Sequence, residues 1–209
     1  MKKNSSFFIL HSSFSNGFTL VELLVSIAIV GLMSAAALVN FRSGARSDAL
    51  RLGAREVVSR IRDAQTMAAT GRTTGLCRNL DDGRTDGVCA SDTDCPGSEC
   101  SVLVPKGGYG VSLESQPGGS FFLFADGNGN RTYDVGEKLK DGGFAFSSPD
   151  IEITGSEPAA PMSIVFEPPR GRAFATGEAV DVRLHLRHRV TGQAKDIRVN
   201  TISGVIEVE

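Results

Sequence analysis

The feature that most constrains this chain is "SNGFTLVELLVSIAIVGLMSAAALV", Ser15 to Val39, an apolar run that keeps one acid, Glu22, near its start. Leu23 to Val39 is seventeen residues without a charge, and the run counted from Phe18 is twenty-two. At about 1.5 Å per helical residue that is roughly 30 Å, the hydrocarbon thickness of a bilayer. A lone charged carboxylate in such a segment costs on the order of 2 to 3 kcal/mol. Glu22 therefore needs a partner that the segment itself does not contain.

Lys2 and Lys3 open the chain as a targeting segment does, and "SAAALVN" after the run offers small residues for a secretory cleavage site. Arg42 and Arg46 follow the run as densely as Lys2 and Lys3 precede it, so charge bias alone fixes no orientation. A total of 209 residues leaves room for one anchored helix and one globular domain. The net charge of -2 argues against a strongly basic nucleic-acid binder in bulk.

The ordered set Gly17, Phe18, Thr19, Leu20 and Glu22, followed by the apolar tract, resembles the cleavage and methylation motif of type IV pilins and type II secretion pseudopilins. The resemblance implies a leader over 1–17, cleavage by a prepilin peptidase after Gly17 on the cytoplasmic side, and N-methylation of Phe18. It implies that Glu22, the fifth mature residue, pairs with the N-terminal ammonium of a neighbouring subunit during assembly. It further implies a single-pass protein with an extracytoplasmic domain, an inner-membrane assembly platform and other pilin subunits as partners. A charge pair formed in the assembled state replaces an isolated charge in oil, and mispaired subunits keep the desolvation cost.

Beyond the tract, Leu50, Ala54, Val57, Ile61, Ala64 and Ala68 recur at spacings of three and four, one face of a helix. Arg51, Arg55, Arg62 and Asp63 lie opposite. The reading is one helix from about Phe18 to Thr70, membrane-spanning or filament core over 18–40 and an amphipathic continuation over 41–70; a coiled coil is the competing account of the stripe. "ATGRTTG" ends it.

From residue 71 the period becomes two. Strands are expected at Val102–Val104, Tyr109–Leu113, Phe121–Ala125, Phe144–Phe146, Ile151–Ile153, Ile164–Phe166, Val180–Arg189, Ile197–Thr201 and Val205–Val208. The fold class expected is α+β: the long N-terminal helix packed on an antiparallel sheet or sandwich spanning 71–209. The closing "MSIVFEPPRGRAFATG" and "IRVNTISGVIEV" resemble the minor pseudopilins of the GspH and FimT kind.

Cys77, Cys89, Cys95 and Cys100 fall in a polar insertion, 77–100, with little to bury. In an oxidising compartment two disulfides are expected, in any of three pairings. A zinc site competes, but gaps of eleven, five and four residues provide no tight knuckle.

"DGNGNRTYDVGE" sets oxygen ligands at loop positions 1, 3, 5, 9 and 12, namely Asp126, Asn128, Asn130, Asp134 and Glu137, with the Thr132 carbonyl at position 7. That is a calcium pattern, although Arg131 stands where the sharp turn wants Gly. A polar turn that needs no ion is the alternative, and no cofactor is required. In "VDVRLHLRHRV", Val180, Val182, Leu184 and Leu186 point one way and Arg183, His185 and Arg187 the other. With Lys195 and Arg198 this is a basic strand face able to meet DNA or a secreted substrate, since some FimT-like pilins bind DNA; an ordinary solvated face is the simpler reading, and aromatic residues for stacking are absent from it. Three His and no nucleophile or metal-pair motif argue against an enzyme.

Overall fold

The computed structural model describes residues 19–114 and 120–209, and side chains within them except at 36–45. The expected leader 1–17, with Gly17 at its end, and Phe18 lie outside the described residues. The chain divides into two compact units, Met1–Gly44 and Ala45–Glu209. All described helical residues of the first unit belong to helix α1, Leu20–Ala69, which continues into the second.

In the first unit, Thr19 caps the helix: its hydroxyl accepts the Glu22 N–H at 3.3 Å and its carbonyl the Leu23 N–H at 3.2 Å. Thr-x-x-Glu is a helix-start signature, and an acid in the first turn meets the positive end of the helix dipole. The hydroxyls of Ser26 and Ser34 donate to the carbonyls of Glu22 and Val30, both at 2.7 Å, so neither polar group is left unsatisfied in the apolar tract. Every side chain from Thr19 to Ala35 is exposed in this unit. Among the described residues no helix is long and apolar enough to cross a membrane. The stretch with described side chains, Leu20–Ala35, falls short of the roughly 20 apolar residues a span needs. The rest of the expected span, Phe18 and 36–40, lies outside it.

In the second unit the helix buries Leu50, Ala54, Val57, Ile61, Ala64 and Ala68, the six residues of the expected face. Gly53 lets it approach closely: a Cβ there would meet Ile151 Cγ2 at 3.0 Å. It stops at a Schellman arrangement, with Gly71 at φ 60° and the Arg72 N–H bonded to the Met67 carbonyl at 3.0 Å.

Twelve strands follow: β1 Thr74–Arg78, β2 Thr85–Val88, β3 Glu99–Leu103, β4 Gly108–Leu113, β5 Phe121–Asp126, β6 Lys138–Gly143, β7 Ile151–Glu157, β8 Met162–Glu167, β9 Arg172–Ala175, β10 Asp181–His188, β11 Ala194–Asn200 and β12 Ile206–Val208. All pairings are antiparallel. They make three sheets, β2-β1-β3, β6-β5-β4-β8-β9 and β12-β11-β10-β7. One core joins the helix face to Tyr109, Val111 and Leu113 of β4, Leu123 of β5, Ile164 and Phe166 of β8, Val182, Leu184 and Leu186 of β10, and Ile197 and Val199 of β11.

Several expectations are corrected. Phe144–Phe146 is not a strand; the chain leaves the sheet at Gly143, and the two rings stack edge to face at 4.8 Å as padding on the core. The polar β6 and the short β9 were not expected, and both are sheet edges, where polar side chains protect the open backbone. Val180 precedes β10 and is exposed rather than aligned with Val182. The insertion, expected to lack burial, contributes the end of β1, all of β2 and the start of β3, with Cys89 and Cys95 buried.

Candidate functional site

The cysteines pair as Cys77–Cys95 and Cys89–Cys100. These crossed bridges hold the three-stranded sheet, whose β1 and β3 place Cys77 opposite Cys100 without joining them. Among the described residues one trio of possible ligand atoms lies mutually within 4.8 Å, the sulfurs of Cys77, Cys89 and Cys95. Those sulfurs are bonded as disulfides and are not thiolate ligands for zinc.

The segment Asp126–Glu137 is not a plain turn between β5 and β6. The faces of β5 alternate, so Phe122 and Phe124 point away from the helix, and the loop folds back to cover them. Tyr133 stacks edge to face on Phe122 at 4.8 Å and on Phe124 at 5.6 Å. Arg131 crosses to β8 and β9, with its Nε 2.7 Å from Glu167 Oε1 and its guanidinium 3.7 Å from the Phe174 centroid. The loop is thus a strap over the outer face of the five-stranded sheet.

Asp126 and Glu137, loop positions 1 and 12, are both buried. Asp126 accepts the N–H groups of Gly129 at 2.7 Å and Arg131 at 2.8 Å; Glu137 accepts those of Gly127 and Asp134, both at 3.0 Å. Gly107 makes room, since a Cβ there would overlap the Asp126 carboxylate. Arg131 takes the left-handed turn at φ 66°, the conformation usually left to Gly at loop position 6. Asp134 accepts the side-chain amides of Asn128 at 2.7 Å and Asn130 at 2.6 Å, while the Asn130 side-chain oxygen accepts the Thr132 N–H at 2.8 Å. The strap therefore brings all six expected residues together, with Asp126, Asp134 and Glu137 held by N–H donors rather than converged on one point.

Burial pushes the Glu137 carboxyl up to about 7, against the pull of its two N–H donors, and Asp126 and Asp134 add to the rise. Burial also raises Asp126. The sign follows directly. Between about 4.5 and 7 the unfolded chain has released the Glu137 proton while the folded chain keeps it, so stability falls as pH rises through that window. A melting series on the fragment from Ala45 should lose on the order of 3 kcal/mol between pH 5 and pH 8. Glu137→Gln should flatten the slope, whatever it does to absolute stability. A pH-independent melting temperature would contradict this.

The expected basic face is mixed in charge. Arg187 binds Glu152 at 2.8 Å, Arg198 binds Asp181 at 3.0 Å, His185 lies 2.8 Å from Asp196, and the Lys195 Nζ donates to the Glu209 carbonyl at 3.2 Å. Hydrogen bonds from Arg198 and Arg187 hold Asp181 and Glu152 below the usual carboxylate range. Among the described residues Arg183 has no carboxylate within 4 Å, and it stands amid these pairs. The acids on β7, β10, β11 and β12 were the missing half of the pattern, because sequence shows charges on one strand but not those its neighbours bring.

Residues 13–38 match the family described as the prokaryotic N-terminal methylation motif, which spans Gly17, Phe18 and Glu22. No curated protein and no solved structure matches the chain.

Proposed function

We propose that this chain, type IV pilin-like and prepilin-processed by its methylation motif, is a minor pilin or pseudopilin of the GspH and FimT kind. It is a non-enzymatic structural subunit of a type IV pilus or a type II secretion pseudopilus. The observation that carries the reading is the acid. Glu22 sits in the first turn of a helix whose described apolar side chains, Leu20 to Met33, are all exposed in their own unit. Among the described residues of the unit that face has no partner, and neighbouring subunits or lipid would supply it. Prepilin peptidase would cut between Gly17 and Phe18, the released ammonium of one subunit would pair with Glu22 of another, and an inner-membrane platform would assemble them. The experiment that tests this is recovery of the chain in a sheared filament fraction, with Glu22 intact and with it replaced.

Calcium is the ion proposed for the strap. The donors are hard oxygens in the order that calcium loops use, and Arg131 already takes the turn conformation. Asp126, Asp134 and Glu137 would supply the charge, with Asn128, Asn130 and the Thr132 carbonyl completing the set. The ion would stiffen the strap and relieve the mutual repulsion of its acids. In the melting series at pH 8, calcium should restore what the rise in pH removed. No heat of binding and no gain in melting temperature would remove the ion from the account.

A further inference from the structure

The disulfide lobe and the far edge of the five-stranded sheet carry complementary features that do not meet within one chain. The lobe, 77–100, holds six acids, Asp81, Asp82, Asp86, Asp92, Asp94 and Glu99, against Arg78 and Arg84. Its β1–β2 turn is locked by its own hydrogen bonds: the Asn79 N–H to the Arg84 carbonyl at 2.8 Å, the Gly83 N–H to the Asn79 carbonyl at 3.0 Å, and the Asp81 N–H to Asn79 Oδ1 at 2.8 Å. At the tip Leu80 is 72% exposed, followed by Asp81 and by Asp82, which has Arg84 3.3 Å away. A rigid turn that presents a leucine beside two carboxylates loses little entropy on docking.

The lobe sits on the β5–β6 side of the sheet, where the Val88 N–H donates to the Gly136 carbonyl at 2.8 Å and the Thr85 hydroxyl donates to the Gly127 carbonyl. The opposite edge is β9. Along it runs a groove of about 590 Å³ between the strap, β9 and the segment leading into β10. Its apolar surface is Phe174 with Val180, 47% exposed, and Ile202, 80% exposed. Arg131 and Arg172 lie 3.7 and 5.0 Å from the Phe174 ring. Arg131 is engaged by Glu167, and Glu178 stands at the rim; among the described residues Arg172 has no carboxylate within 4 Å.

We infer that the Leu80–Asp81–Asp82 tip of one subunit docks in the β9 groove of a second copy of this chain, Leu80 against Phe174, Val180 and Ile202, its carboxylates facing Arg172 and Arg131. The inference rests on the subunit reading above and names its lateral contact. Tip and groove lie at opposite edges of the sheet, and copies held side by side in one direction would make the contact head to tail, repeating along a string of subunits. A single turn in a groove buries far less than the roughly 1,200 Å² of a stable pair, so it holds only where the helices already keep copies side by side at high effective concentration.

The test uses the full chain in its own cells. A benzophenone amino acid replaces Leu80, and cross-linked species are mapped by mass spectrometry. Expected is a copy-to-copy adduct at 172–180 or 201–202, cut several-fold by Arg172→Glu and recovered when Asp81→Arg is added. Adducts elsewhere, adducts to a different protein, no adduct, or no recovery in the charge swap would overturn the contact. The sheared filament fraction separates the two claims: a chain present in fibres with the adduct elsewhere loses this contact alone. An intact adduct on a chain absent from fibres loses the subunit reading alone.

Discussion

Glu22→Ala should lower recovery of the chain in sheared fibres at least tenfold while leaving the membrane pool of processed protein unchanged. The cause is electrostatic. Among the described residues of its unit, the carboxylate set amid the exposed side chains from Leu20 to Met33 has no partner, and in an assembly it would meet the free ammonium left by cleavage after Gly17. Removing one member of a desolvated pair strands the other, at about 3 to 5 kcal/mol, and about 1.4 kcal/mol already gives tenfold. Glu22 also occupies the first turn behind the Thr19 cap, so a fault in the helix start could imitate the effect. Thr19→Ala separates the two: it removes the cap at a cost of about 1 kcal/mol and leaves the charge. If Thr19→Ala depletes fibres as strongly as Glu22→Ala, the charge pair is not the cause.

Ile61→Ala should be the most damaging truncation on the helix face of the second unit. Ile61 is fully buried in the middle of the helical face, flanked along that face by Val57 and Ala64, both also without exposed surface. The core it belongs to draws side chains from all three sheets, so a hole there is not expected to close by shifting one strand. A large-to-small change of this kind costs about 2 to 5 kcal/mol. For the fragment from Ala45 that is a fall of roughly 10 °C in melting temperature. Arg62→Ala, one residue on and exposed, should stay within about 0.5 kcal/mol. Equal losses from the two would mean that the helix face is not the spine of the core.

The helix was legible because its signals are local: spacings of three and four, and the Gly and Thr cluster of "ATGRTTG" that stops it. The central strands were legible for the same reason, since Tyr109–Leu113 and Ile164–Phe166 alternate or run apolar as buried strands do. β6 was not, because "KLKDGG" is an edge strand and its polar side chains obey solvent rather than the core. Phe144 and Phe146 misled in the opposite sense: aromatic residues pack on a core from a loop as readily as from a strand. The six strap residues could be found by spacing, but their burial could not, since it comes from the outer sheet face of Phe122 and Phe124 that Tyr133 covers. The pairing of the cysteines was hidden because spacing left three pairings open and the strand register, which sets Cys77 opposite Cys100, does not join that pair. Ion pairing across β7, β10 and β11 was hidden for the same reason, because sheet register is set by the whole fold.

Assembly through Glu22 requires a mature chain that begins at Phe18. Intact-mass and fragment-ion measurement of the protein isolated from its own membranes tests that directly. It should start at Phe18, seventeen residues shorter than the encoded chain, with a methyl group on the terminal nitrogen. A chain that retains Met1 and the leader, or one cut after the apolar run near "SAAALVN", would contradict it.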